Sequence, residues 1–173
     1  MPQPTQELQT ERLFLRHLSA GDAPFILRLL NEPSWLQNIG DKGVRTIADA
    51  QQYIETGPVE MYGRLGFGLY HVRLTVNDDP IGICGLLKRE TLEDVDLGFA
   101  FLPEYWGNGY AREASAAVMY YGRKKFGLAR IVAVVSRDNE ASRRVLTKLG
   151  FIFERSVHID ASGEELLLYA SPA

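Results

Sequence analysis

The sequence holds a single cysteine, Cys84, among 173 residues, so no internal disulfide can brace it. Its neighbours Ile81, Ile83, Leu86 and Leu87 mark it as a buried, inert thiol suited to a reducing compartment. Long apolar runs are also missing. None approaches the ~20 residues that a bilayer crossing requires, and the polar, proline-containing stretch Met1 to Glu11 lacks the apolar core of a signal peptide, so a cytoplasmic protein away from membranes is expected. Neither acidic nor basic residues predominate: the formal net charge is -3, and the basic clusters Arg123 to Lys125 and Arg143-Arg144 are too short for a nucleic-acid footprint. His17, His71 and His158 fall in separate segments with no cysteine cluster, which argues against a metal site. There is no G-x-S-x-G elbow and no G-K-[ST] after a glycine run, which removes the common hydrolase and P-loop readings. Without a repeat, a linker or a low-complexity tract, residues 1–173 are read as one domain.

What is present centres on Asp96 to Ala114, reading D-L-G-F-A-F-L-P-E-Y-W-G-N-G-Y-A-R-E-A. Val95, Leu97, Phe99 and Phe101 alternate with Asp96, Gly98 and Ala100 at the period of a strand, and Pro103 ends the ladder because it has no N–H. From Ala111 the apolar residues recur at helical spacing as Ala114, Ala117, Val118 and Tyr121. Gly107 and Gly109 lie between, at the point where a helix leaves its first N–H groups unpaired and favours an anion. A hairpin at Asn108-Gly109 is incompatible with the helical pattern that follows. A dinucleotide fingerprint fails because its third small position is Arg112 and too little chain follows for a doubly wound sheet.

Around this turn the pattern predicts a strand at Thr10 to Leu15, a helix from the Ser19–Asp22 capping box to Leu30, a loop at Asn38 to Arg45, and a helix from Thr46 that stops at Gly57-Pro58. An antiparallel meander follows at Phe67–Val76, Ile81–Leu87 and Val95–Leu102. After the helix Asn108–Phe126 come a buried strand at Ile131–Val135, a helix capped by Asp138 or Asn139 and closed by Gly150, and a strand pair at Phe151–Ile159 and Glu165–Ala170. The fold class is therefore α/β (α+β), a mixed, mostly antiparallel sheet of about six to seven strands flanked by helices, in the order β-α-α-β-β-β-α-β-α-β-β.

The chain resembles the GNAT superfamily of acyl-CoA-dependent N-acetyltransferases from Thr10 to Ala170. That family's turn Q/R-x-x-G-x-G/A falls on Trp106-Gly107-Asn108-Gly109-Tyr110-Ala111, with Trp106 departing from Gln or Arg. The surrounding P-E-Y-W-G-N-G-Y-A-R-E-A, the set Asn139, Ser142, Lys148, Gly150 and Phe151, and the T-E-R-L-x-L-R start at Thr10 to Arg16 are similar to the branch of ribosomal-protein N-terminal acetyltransferases (RimJ/RimL type). The resemblance implies acetyl-CoA as acyl donor; no metal is expected, and the protein is expected to act as a monomer or homodimer.

It further implies that the backbone of Phe99, Ala100 and Phe101 pairs with the pantetheine arm and that the diphosphate rests on amides from Gly107 to Ala111. Asn139 would reach the pantetheine or pyrophosphate region, or only cap its helix. Ser142 would face the thioester sulfur, since the tyrosine acid used by many members is replaced by Leu146. Asp96, where the branch often has Glu, is the candidate base, and a surface or ion-pairing role is its rival. Arg112 and Arg137 are weaker candidates for phosphate contact.

Transfer to an amine needs a neutral nucleophile, a polarised carbonyl and a stabilised thiolate. A protein α-amine, with a pKa near ~8, asks less of a base than a lysine near ~10.4. The expected acceptor is a protein N-terminus. The alternatives are a small amine, such as a polyamine, amino acid or aminoglycoside-like compound, and a catalytically silent acyl-CoA-binding module.

Overall fold

A computed structural model describes residues 7–172, so residues 1–6 of the stretch read for a signal peptide lie outside the described residues. Eight strands form one sheet in the order β1-β2-β3-β4-β5-β6-β8-β7. They are β1 (Glu7–Gln9), β2 (Leu13–His17), β3 (Leu69–Leu74), β4 (Pro80–Leu87), β5 (Asp96–Phe101), β6 (Val132–Val135), β7 (Ile152–Val157) and β8 (Leu166–Ala170). Every pairing is antiparallel except β5 with β6. The first expected strand is in fact a hairpin: the chain turns at Thr10, whose N–H donates to the Leu13 carbonyl, so Leu8 pairs with Leu15 and the sheet gains a strand.

The helices are α1 (Ala23–Leu30), α2 (Pro33–Asn38), α3 (Ile47–Ile54), α4 (Glu60–Leu65), α5 (Tyr110–Phe126) and α6 (Glu140–Lys148). Two boundaries differ from the sequence reading. Pro33, in a stretch to which the sequence reading assigned no element, starts α2, as its fixed φ suits a first helical turn. Gly57-Pro58 does not stop the second helix, because a wide π-turn over Glu55–Val59 accommodates the proline, which lacks an N–H and would clash in a regular turn. The chain then continues into α4 and ends at Gly66, φ +82°.

Opposite faces of the sheet carry the two main cores. Leu97 and Phe101 of β5 pack with Ala114, Val118 and Met119 of α5. Ile83, Leu69 and Ala100 face Ile26, Leu29 and Leu30 of α1 and Ile54 of α3. Each of the Leu, Ile, Val, Met and Phe side chains contributes about 1.5–3 kcal/mol on burial. The two-residue period of β5 thus sends Leu97, Phe99 and Phe101 towards α5, and Asp96, Gly98 and Ala100 towards α1 and α3.

Candidate active site

Strands β5 and β6 separate almost as soon as they meet. Asp96 pairs with Val132, the Val132 N–H donates to the Val95 carbonyl at 3.0 Å, and no further register exists between them. On its other edge β5 stays paired to β4 along its length, and the Leu102 N–H donates to the Ile81 carbonyl at 2.9 Å. Alternation from that bond sends the N–H and C=O of Ala100 to Ile83 on β4, and those of Phe99 and Phe101 into the gap beside β6. The expected three-residue pairing surface is therefore two residues of backbone: Ala100 turns its amide to β4 and its methyl group towards α1 and α3. The Phe101 carbonyl is in turn capped by the Trp106 indole N–H at 2.8 Å, which leaves the amide of Phe101 and both polar groups of Phe99 free.

The glycine turn closes one end of the gap. Gly107 (φ +78°) and Gly109 (φ +80°) adopt the left-handed conformation, and a Cβ on Gly107 would meet no atom within 4 Å, so conformation rather than crowding requires glycine there. Asn108 braces the turn through Nδ2 to the carbonyls of Tyr105 and Trp106. Helix α5 starts at Tyr110 with no side-chain cap, and its first internal bond runs from the Glu113 N–H to the Gly109 carbonyl. The amides of Tyr110, Ala111 and Arg112 are left without helical partners and point where an anion would complete the cap.

A clamp from the N-terminal hairpin fixes this turn in place. Glu113 accepts from Thr10 Oγ1 (2.7 Å), the Arg12 N–H (3.0 Å) and Arg12 Nε (2.7 Å), and Arg12 Nη1 donates to the Asn108 carbonyl at 2.9 Å. Thr10 and Arg12 belong to the T-E-R-L start. Their partner Glu113 stands too far away in sequence for the pairing to be read there.

A cavity of about 360 Å³ runs from the turn along β5 to α6, with Arg112, Arg144 and Lys148 as cations on its walls. Arg137, a weaker phosphate candidate, instead pairs with Glu165 at 3.0 Å. A second cavity of about 330 Å³ lies on the other side, bounded by Tyr53, Leu87, Arg89, Asp96 and the β7–β8 turn at Asp160 and Glu164. The two share Trp35, Asn38, Ile39, Phe99, Ala100, Asn139 and Ser142 as walls. Ser136 Oγ donates to the Asn38 carbonyl at 2.8 Å, bridging α2 to the end of β6 across the gap. Trp35 is both a core residue and a wall: it is buried, and its indole N–H has no hydrogen-bond partner among the described residues.

Asn139 is a helix cap, as its Oδ1 accepts the Ser142 N–H at 3.2 Å, and it also lies where the cavities meet. The Ser142 hydroxyl is half-buried at the same junction. Asp96 is 1% exposed. Its Oδ2 accepts from Arg89 Nε at 3.3 Å, while Oδ1 is buried without a partner. Burial pushes its carboxyl pKa above the ordinary value, opposed by Arg89 and Lys88. Arg89 went unnoticed in the sequence because its role arises only from the β4–β5 hairpin.

A sheet opened beside free strand amides, above an uncapped glycine-rich helix start, can hold an extended ligand that carries an anionic group. The acetyltransferase (GNAT) domain family matches residues 12–152, and the chain belongs to that family. It is 32% identical over 146 residues to the uncharacterized N-acetyltransferase YoaA of Bacillus subtilis, covering 83% of this chain and 81% of YoaA. The fold is shared with an acetyltransferase from Agrobacterium tumefaciens (TM-score 0.83, 22% identity, 100% and 98% of the two chains). It is also shared with RimL, a ribosomal L7/L12 α-N-protein acetyltransferase solved with coenzyme A (TM-score 0.80, 18% identity, 96% and 98%). The protein is an acetyl-CoA-dependent N-acetyltransferase. No helix of the described residues is long and apolar enough to cross a membrane.

Proposed function

We propose that residues 1–173 act as one domain that acetylates a protein N-terminal α-amine by direct attack on the thioester. The single observation carrying this reading is the pair of cavities that meet at Phe99, Ala100, Asn139 and Ser142, with Asp96, whose Oδ1 is buried without a partner, in the wall of the second. Acetyl-CoA supplies an activated acyl carbonyl on the first side. The amides of Gly107, Asn108, Gly109, Tyr110 and Ala111 receive its diphosphate, supported by Arg112, Arg144 and Lys148. The free backbone of Phe99 and Phe101 holds the pantetheine arm. Trp106 keeps the Phe101 carbonyl occupied and so leaves Phe99 as the acceptor of the arm's amide.

The Phe99 N–H polarises the thioester carbonyl, already fixed in a strand and needing no reorganisation. Asp96 accepts the amine's proton directly or through one water, and its raised pKa brings it closer to that of the amine. The Ser142 hydroxyl donates to the departing sulfur. Asn139 holds Ser142 through the helix cap.

The α-amine is favoured over a polyamine because the second cavity is lined largely by apolar side chains, and its carboxylates Asp96, Asp160 and Glu164 are offset by Lys42 and Arg89, which leaves little surplus negative charge for a polycation. A buried unpaired carboxylate oxygen has no use in a silent binding module, since leaving it unpaired costs about 1–3 kcal/mol. Thiol release from acetyl-CoA, measured over a panel of peptides, amino acids and polyamines, tests the reading. Product from peptides with free N-termini is expected, and product from polyamines alone overturns it.

A further inference from the structure

Arg89 is more than a counter-charge for Asp96. It meets that carboxylate through one Nε contact of 3.3 Å, not the bidentate fork that guanidinium and carboxylate form when they serve only each other. Nη1 and Nη2 have no hydrogen-bond partner among the described residues, and the side chain is 35% exposed on the wall of the second cavity. Asp160, another carboxylate at that mouth, accepts the Ser162 N–H at 2.9 Å and makes no bond to Arg89. Tyr53 lines the same cavity, and burial pushes its hydroxyl up to about 12, so it remains a neutral donor.

One carboxylate therefore joins two unsatisfied groups of opposite kind: Asp96 Oδ1, a buried acceptor, and the terminal nitrogens of Arg89, which are donors. A ligand satisfying both presents an N–H and an anionic oxygen only a few ångströms apart. We propose that Arg89 reads a carboxylate on the acceptor, next to the amine that Asp96 receives, with the Tyr53 hydroxyl as a further donor. This rests on the proposal that Asp96 meets the acceptor's amine. The carboxylate has two sources with the same chemistry: the α-carboxylate of a free amino acid, or the acidic side chain of a peptide's first residue.

Two acceptor pairs separate the sources. Alanine is compared with alaninamide, and a glutamate-initiated peptide amide with its glutamine-initiated counterpart, as ratios of kcat/KM in wild type, Arg89→Gln and Arg89→Lys. Because each ratio is taken within one enzyme, any effect of Arg89 on Asp96 cancels. In wild type the acidic member of one pair is expected to win by about tenfold or more. Arg89→Gln should bring that ratio close to one, and Arg89→Lys should keep part of it, with acetyl-CoA binding by calorimetry unchanged in both. Discrimination in the first pair identifies a free amino acid, and in the second an acidic N-terminus. Wild-type ratios near one in both pairs overturn the inference while leaving α-amine acetylation intact. A ratio that survives Arg89→Gln also overturns it. Failure of every α-amine, with some other amine accepted, removes the broader reading as well.

Discussion

Asp96 illustrates how one side chain couples chemistry to stability. Burial raises its pKa, so the folded protein keeps this proton to higher pH than the unfolded chain does. The stability it contributes is present below the ordinary carboxyl value and lost as pH rises through the raised one. The cost of ionising the buried carboxylate therefore grows as pH rises. Asp96→Asn should therefore keep acetyl-CoA binding, lower turnover by about 10²-fold with a flattened alkaline rise, and melt at a higher temperature at pH 7. An unchanged pH–rate profile would clear Asp96 of the base role, and a lower melting temperature would contradict the burial account. Ser142 makes a different demand. Its hydroxyl sits where the cavities join, so Ser142→Ala should reduce kcat by about tenfold or more while the affinity for acetyl-CoA moves little. An unaltered kcat would take the hydroxyl out of the mechanism.

Among the elements, the turn before α5 concentrates the most consequence in the fewest residues. Gly109 stands at φ +80° with Arg12 Nη2 3.4 Å from where a Cβ would be. Gly109→Ala should cost about 1–2 kcal/mol of backbone strain and weaken coenzyme A binding severalfold, read by calorimetry beside a thermal melt. Unchanged affinity would mean that the helix start is not the diphosphate site. The splay of β5 from β6 is the complementary device. A parallel pair continued past Asp96 would use the Phe99 and Phe101 amides internally and leave nothing to bind a ligand.

For the molecule as a whole, pH stability depends on histidines far from the chemistry. His71 is buried against Phe25, with Arg16, Asp22, Arg73 and Asp78 as the nearby charges, and burial lowers its pKa to about 4. His17, stacked on Tyr62, shifts in the same direction. The unfolded chain takes up the His71 proton near pH 6.5 and the folded protein near 4, so stability should fall across that interval by up to about 3 kcal/mol. Denaturant titrations at pH 7 and pH 4.5 measure the loss. His71→Leu should remove most of it, and a slope identical to wild type would assign the acid sensitivity elsewhere.

Much of this architecture was legible in the sequence. Hydrophobic period separated β5 from α5, capping residues marked α1 and α3, and the glycines located the turn, because these signals act over a few adjacent residues. The hairpin at Thr10 was not legible, as a three-residue strand leaves too short a pattern, and Pro58 read as a stop because its accommodation in a π-turn depends on the packing around it. The same division holds in the site. Asp96, Ser142 and the turn stood out as residue types at telling spacings, whereas the Glu113 clamp, the Trp106 cap on Phe101 and the Arg89 partner join positions that sequence separation conceals. By itself the sequence determined most of the strand and helix segments and the place of the glycine turn before α5, since local sterics and periodicity decide those. Only the tertiary structure decided that β5 parts from β6, that Ala100 turns its amide inward, and that Asp96 loses its water, because strand pairing and burial are properties of distant segments brought together.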